Sequence, residues 1–222
     1  RDFGHYAERP PRIQSQVVSG CNLDIGVIVY SFTVRYVAGL IFAVGAVLAG
    51  LMSLIFSSSI ADRVPMHWGL NGQVDGYGSR WQALLFIPIM MLGMSLIFGI
   101  IGLVGGSRLK TNATKGINIV SAALVIFFLM LHKLILSQNH AAIPTMIPFL
   151  LSGVLIVLGF AMKGVEPNPF IGIRVPWTMK SPMVWRITHD RASRLWMFAG
   201  AVGLVFSLIG GTMVVPIIIF VG

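Results

Sequence analysis

Tyr36-Val37-Ala38-Gly39-Leu40-Ile41-Phe42-Ala43-Val44-Gly45-Ala46-Val47-Leu48-Ala49-Gly50-Leu51-Met52-Ser53-Leu54-Ile55-Phe56 contains no Asp, Glu, Lys, Arg or His. At a helical rise of 1.5 Å, about 20 such residues cross roughly 30 Å of hydrocarbon. Four further stretches have the same character: 83–105, 116–137, 143–162 and 195–221. The expected fold is therefore all-α, a polytopic transmembrane helical bundle of five spans. The last stretch exceeds the need by about a third, and it contains Gly210, Gly211 and Pro216. Either it is one tilted, kinked helix, or it ends near Gly210 and a truncated sixth span begins; the second reading is preferred. Residues 25–34 are apolar but too short to cross, and extending them would place Arg35 in mid-bilayer at a cost of several kcal/mol.

Composition agrees. Of 222 residues, 56% are hydrophobic and 10% charged, against about 45–50% and about 25% in soluble domains. A disordered chain, a disulfide scaffold and an ordinary cytosolic enzyme are excluded. The single Cys21 has no partner for a disulfide or a metal. Val18-Ser19-Gly20-Cys21 superficially resembles a lipoprotein cleavage site, but residues 9–16 are polar where an apolar segment is required. The chain starts on Arg1, so the natural start is expected to lie elsewhere.

The net charge of +9 is a topology signal before it is a sign of nucleic acid, and no direct nucleic-acid partner is expected. All basic residues except Arg63, Arg80 and Lys133 fall on one side of the five spans. By the positive-inside rule that side is cytoplasmic. The expected division is a cytoplasmic or interfacial arm (1–35), an N-terminal membrane domain (36–137) with an outer loop (57–82), and a C-terminal membrane domain (138–222) with a cytoplasmic segment (163–194). Small residues recur on one face at Gly39, Ala43, Ala46 and Gly50, and again at Ala199, Gly203, Ser207 and Gly211. Such stripes let helices approach closely.

Most of the remaining polarity is concentrated in two segments. The outer loop carries Pro65, Met66, His67, Trp68, Asn71, Gly72, Gln73, Val74, Asp75, Gly76, Tyr77, Gly78 and Ser79. Asn71-Gly72 and Asp75-Gly76 are turn dipeptides, Ser79 with Gln82 fits a capping box opening the second span, and the aromatic rings suit a headgroup layer. His67, His132 and His140 lie toward this side, yet no HxH, HxxxH or HExxH spacing exists. Zinc would need their convergence through folding; the expectation is no metal and no cofactor. Lys133, beside His132, can snorkel to the outer surface.

In the inner segment, Pro167, Pro169 and Pro176 break any helix through the first half. Ser181 as N-cap with Pro182 at the first helical position starts one, and Trp185, His189 and Ala192 then share a face. Such a helix suits either anionic lipid or a protein partner.

These two segments resemble the SdpI family of bacterial toxin-immunity membrane proteins. The run Pro65-Met66-His67-Trp68 through Asn71-Gly72-Gln73-Val74-Asp75-Gly76-Tyr77-Gly78-Ser79 is similar to the family's N-terminal outer-loop domain of unknown function. Asn168-Pro169-Phe170-Ile171-Gly172-Ile173-Arg174-Val175-Pro176-Trp177-Thr178, with Val184-Trp185 and Thr188-His189, is similar to its C-terminal signature. Val175 stands where the family usually has threonine, and Ala192-Ser193 where it usually has glycine.

The resemblance implies a non-enzymatic protein of the bacterial cell membrane, N-terminus cytoplasmic, that gives resistance to a secreted toxin. It also implies a receptor role in which a cytoplasmic transcriptional repressor is sequestered. Toxin-facing residues would be Pro65, His67, Trp68, Asn71, Gly72, Asp75, Tyr77 and Ser79. The partner-facing signature would be Asn168, Gly172, Arg174, Pro176, Trp177, Thr178, Trp185 and His189, with membrane lipids as further partners. The competing classes are a small-solute transporter or channel, which would be expected to carry charges at mid-span where the five stretches have none, and a metal-dependent membrane enzyme entered through His67.

Overall fold

The computed structural model describes residues 25–69, 72–105, 111–168 and 170–209. Helix α1 (Ile25–Phe56) leads to an antiparallel hairpin, β1 (Arg63–Trp68) and β2 (Val74–Ser79). Then come α2 (Arg80–Gly105), α3 (Thr111–Leu136), one 3-10 turn (His140–Ala142) and α4 (Ile143–Met162), followed by the short α5 (Pro176–Lys180) and α6 (Pro182–Leu208).

Four helical stretches are long and apolar enough to cross a membrane: Tyr36–Phe56, Arg80–Gly105, Ala113–Leu136 and His140–Met162. With their exposed apolar faces they make this a multi-pass membrane protein. Leu40, Leu54, Ile55, Ile89, Leu103 and Ile126 all point outward, an arrangement that water penalises and hydrocarbon does not. Of the expected fifth span, the part up to Leu208 belongs to α6; the residues expected to start a sixth lie outside those described. The expected boundary at residue 35 is not a break in the backbone, because α1 is already helical from Ile25. The first 24 residues of the arm are not among those described.

Helix α1 packs on α2 and α3, α3 on α4, and α4 most extensively on α6. The core gathers Phe42, Ala49, Ile87, Met91, Leu136 and Ile143, with Phe42 stacked on Phe98 at 5.3 Å between ring centroids. The two small-residue stripes behave differently. Gly39 does meet α2, since a Cβ there would stand 3.2 Å from Gly99 N and Ser95 O, but nothing lies within 4 Å of such an atom on Gly50. The buried line of α1 runs instead through Phe42, Ala49 and Ser53. On α6 the buried line is Ala199, Gly200 and Gly203.

The α4–α6 contact is backbone against backbone. A Cβ on Gly159 would fall 2.7 Å from Ser193 O and 2.8 Å from Met197 N, and one on Gly200 2.7 Å from Ser152 O. Small residues are what permit this approach in lipid, where apolar burial between helices contributes little.

The polar ends separate cleanly. Because the helices alternate in direction, the hairpin, Gln138 and the 3-10 turn gather at one end, and Gln138 Nε2 donates to Ser59 O there. Phe170 and Ile171 pack at the other end against Ala38, Ala113 and Ile117.

Gly159→Val is expected to lower stability by about 1–3 kcal/mol through overpacking, read as a fall in thermal midpoint of the detergent-purified protein. Gly153→Val, at a site where a Cβ would meet nothing within 4 Å, is expected to shift it far less. Equal shifts would refute the close α4–α6 contact.

Candidate functional site

At the hairpin end, the expected irregular loop is a β-hairpin. Arg63 pairs with Ser79, Val64 with Gly78, Pro65 with Tyr77 and His67 with Gly76, with irregularities on either side of His67. Pro65 is tolerated because a two-stranded sheet has only edge strands. Gly72 closes the turn at φ +76°, and its N–H donates to Gly69 O at 2.9 Å. Asn71 lies outside the described residues. The capping box is present as expected: Ser79 N–H donates to Gln82 Oε1 at 2.7 Å, and Gln82 N–H to Ser79 Oγ at 3.3 Å.

The hairpin divides its side chains. Val64 is buried, and Met66 and Trp68 pack onto the helical core. Above them His67 Nδ1 and Asp75 Oδ1 are 2.5 Å apart, with side chains 73% and 52% exposed. Asp75 thus fixes the imidazole orientation and, in the neutral ring, leaves Nε2 free to accept a hydrogen bond. Arg63 lies over the exposed Tyr77 ring, 4.4 Å from its centroid, a cation–π contact that the sequence did not single out. Beneath the hairpin a cavity of about 330 Å³ is lined by Met66, His67, Trp68, Phe86, Met90 and Ile147, among others.

The three histidines do not converge. Among the described residues no group of three His, Cys, Asp or Glu side chains stands close enough to hold a metal ion. His132 is instead buried inside the bundle. Its Nε2 is 2.9 Å from Ser53 Oγ and 3.2 Å from Ala49 O, and Ser53 donates to Leu84 O at 2.6 Å. One polar knot therefore joins α1, α2 and α3. Its members are far apart in sequence, so only the presence of Ser53 within an apolar span hinted at it.

The opposite end is organised by His189. Its Nε2 accepts from Ile173 N–H at 2.9 Å, so Nδ1 carries the proton and donates to Trp185 O at 2.8 Å. The Trp185 ring stacks on the imidazole at 4.1 Å and donates from Nε1 to Val165 O at 2.7 Å. Gly172 sits against both rings at φ +119°; a Cβ there would lie 2.5 Å from His189 Nε2 and 2.7 Å from Trp185 Cη2. No other residue fits that position. Asn168 is buried and holds its own loop, accepting from Phe170 N–H and Ile171 N–H and donating to Glu166 O and Ile171 O. Thr178 accepts from Val175 N–H at 3.1 Å and donates toward Ile173 O at 2.7 Å.

As expected, none of the described residues of 163–175 is helical, and Pro176 opens α5, because at the first helical position proline loses no hydrogen bond. Ser181 caps α6 as expected, accepting from Val184 N–H at 3.4 Å. The shared face of α6 is Trp185 and His189, both buried, continued by Ser193 rather than Ala192.

The signature thus separates into frame and display. Asn168, Gly172, Thr178, Trp185 and His189 build the frame. Arg174, Pro176 and Trp177 are exposed on it, Trp177 at 64%. Beside them Met179, Met183 and Ile187 are also exposed, interspersed with Lys180, Arg186 and Arg191.

Comparison with known proteins matches the SdpI/YfhL protein family over residues 164–222, which holds the framed loop, α5 and α6. The Immunity protein SdpI of Bacillus subtilis (strain 168) is 26% identical over 173 residues, 78% of this chain and 82% of that protein. Over these residues the chain is similar to the SdpI family. A domain of unknown function, DUF1648, matches residues 44–92, which span the second half of α1, the hairpin and the first half of α2. No solved structure matches the chain.

Gly172→Val is expected to cost the loop about 1–3 kcal/mol, exposing residues 163–180 to limited proteolysis in detergent. Trp177→Ala, which removes only a displayed side chain, is expected to leave cleavage unchanged. Equal protection of both variants would contradict the frame.

Proposed function

We propose that this protein is a non-enzymatic membrane immunity protein that gives its cell resistance to a secreted toxin. The reading is supported by the similarity to the SdpI family together with one observation: each matched segment folds into a packed support that presents a few chemically distinctive side chains, at opposite ends of the bundle. At the hairpin end the His67–Asp75 pair and the Arg63–Tyr77 stack stand above an apolar cavity. A peptide or protein toxin would meet a hydrogen-bonding rim and an apolar seat, the combination that recognition sites use. This end carries few basic residues, so it faces the outside under the positive-inside rule.

At the basic end, taken as cytoplasmic, Arg174, Pro176 and Trp177 form a displayed patch of the type enriched at protein interfaces. A cytoplasmic transcriptional repressor is the proposed partner there. Binding at the two ends would be coupled through the shared helices, so that toxin outside changes repressor capture inside.

The test uses toxin-sensitive indicator cells expressing the chain and challenged with culture supernatant from the source organism. Wild-type protein is expected to raise survival at least about tenfold. His67→Ala, Asp75→Asn, Arg174→Gln and Trp177→Ala, at equal membrane abundance, are expected to reduce it. Full protection by all four variants would overturn these site assignments.

A further inference from the structure

A second cavity lies at the basic end, about 210 Å³ in volume, between α3, α4, α6 and the signature loop. Its walls include Phe98 of α2, Ile117 and Val120 of α3, Leu158 and Ala161 of α4, and Trp196 of α6. It exceeds the roughly 150 Å³ apolar cavities that stay dry and take up benzene or xenon. His189 also lines it, but both its ring nitrogens are already used within the protein. A buried water needs two to four polar partners, and this ring offers it none. The space therefore suits a hydrocarbon occupant.

Its depth says which hydrocarbon. Gly116 lies three residues into the span Ala113–Leu136, and Ala161 and Met162 close the span His140–Met162. From Gly116 to Val120 the cavity covers about 6 Å along α3. It thus occupies the upper acyl layer of one leaflet, directly under the headgroups. Three exposed cations adjoin its lining residues in the chain: Lys115 next to Gly116, Lys163 next to Met162, and Arg174 next to Ile173. Glu166 and Asp190 adjoin it too, leaving the balance positive.

We infer that this cavity is a lipid site, holding one acyl chain of an anionic phospholipid whose headgroup is bound by Lys115, Lys163 and Arg174. Basic pockets between transmembrane helices hold such headgroups by the same chemistry. An acyl chain against Ile173 and Trp196 would brace the loop that displays Arg174 and Trp177, so that lipid and loop conformation are linked. The inference rests on the membrane fold; it shares Arg174 with the proposed partner patch, and the lipid readout below is separate from the protection test.

The test is native mass spectrometry of the full chain in detergent with phosphatidylglycerol or phosphatidylcholine of identical chains. Phosphatidylglycerol is expected to be retained about tenfold more than phosphatidylcholine. The triple change Lys115→Gln, Lys163→Gln, Arg174→Gln is expected to remove that preference. Val120→Phe, which narrows the cavity, is expected to abolish retention while the protein stays folded; Leu158→Phe on another wall serves if Val120→Phe does not fold. A tenfold excess of glycerol 3-phosphate over lipid is expected not to displace the adduct. Equal retention of the two lipids, retention by a folded cavity-narrowed variant, or displacement by the free headgroup would each overturn the acyl-chain site.

Discussion

The imidazole of His189 holds the basic end of the protein together. Accepting from Ile173 and donating to Trp185 O, it uses both ring nitrogens in one defined tautomer. That choice propagates. The loop must approach close enough for Ile173 N–H to reach the ring, which leaves no room for a side chain at Gly172. Trp185, stacked on the same ring, ties the other arm of the loop through Val165 O. Ile173 N–H therefore depends on His189 Nε2 as its acceptor. Since α6 also presses backbone to backbone on α4 at Gly159 and Gly200, the frame is fastened to the helices and Arg174 and Trp177 ride on it.

The hairpin end solves the same problem with different chemistry. Its apolar side chains, Val64, Met66 and Trp68, anchor to the tops of the helices, and its polar ones face away. Arg80 reinforces the junction, donating from its guanidinium to Ser57 O and from its backbone N–H to Asp62 O. Below, Ser53 and His132 join three helices through polar contacts buried in the spans. Each end is thus a packed platform, and among the described residues the helices run between them.

Much of this was legible in the residues because it depends on local rules. Span length, the Ser79–Gln82 box and the Ser181–Pro182 cap are written in short windows. The choice of Trp185 and His189 as one face followed from helical period alone. What escaped was set by pairing across distance. The outer loop reads as turns because of Asn71-Gly72 and Asp75-Gly76, yet Asp75 and Gly76 lie within β2, and Pro65 in β1 is accepted by a two-stranded edge. His132 read as an outer-end residue because nothing nearby in sequence reveals Ser53, 79 positions away. Gly50 counted as part of a packing stripe, yet which face of α1 meets α2 depends on the partner helix. The division of the signature into frame and display was equally hidden, since Gly172 and Arg174 look alike until His189 is seen against one and not the other.

We propose that the hairpin and the framed signature present their side chains on opposite sides of the membrane, the hairpin outside. Site-specific labelling measures this directly. In a Cys21→Ser background, Gln73→Cys on the hairpin and Lys180→Cys at the end of α5 would be treated in intact cells with a membrane-impermeant maleimide. Gln73→Cys is expected to react at once and Lys180→Cys only after permeabilisation; labelling of both from the same side, or the reverse order, would contradict this arrangement.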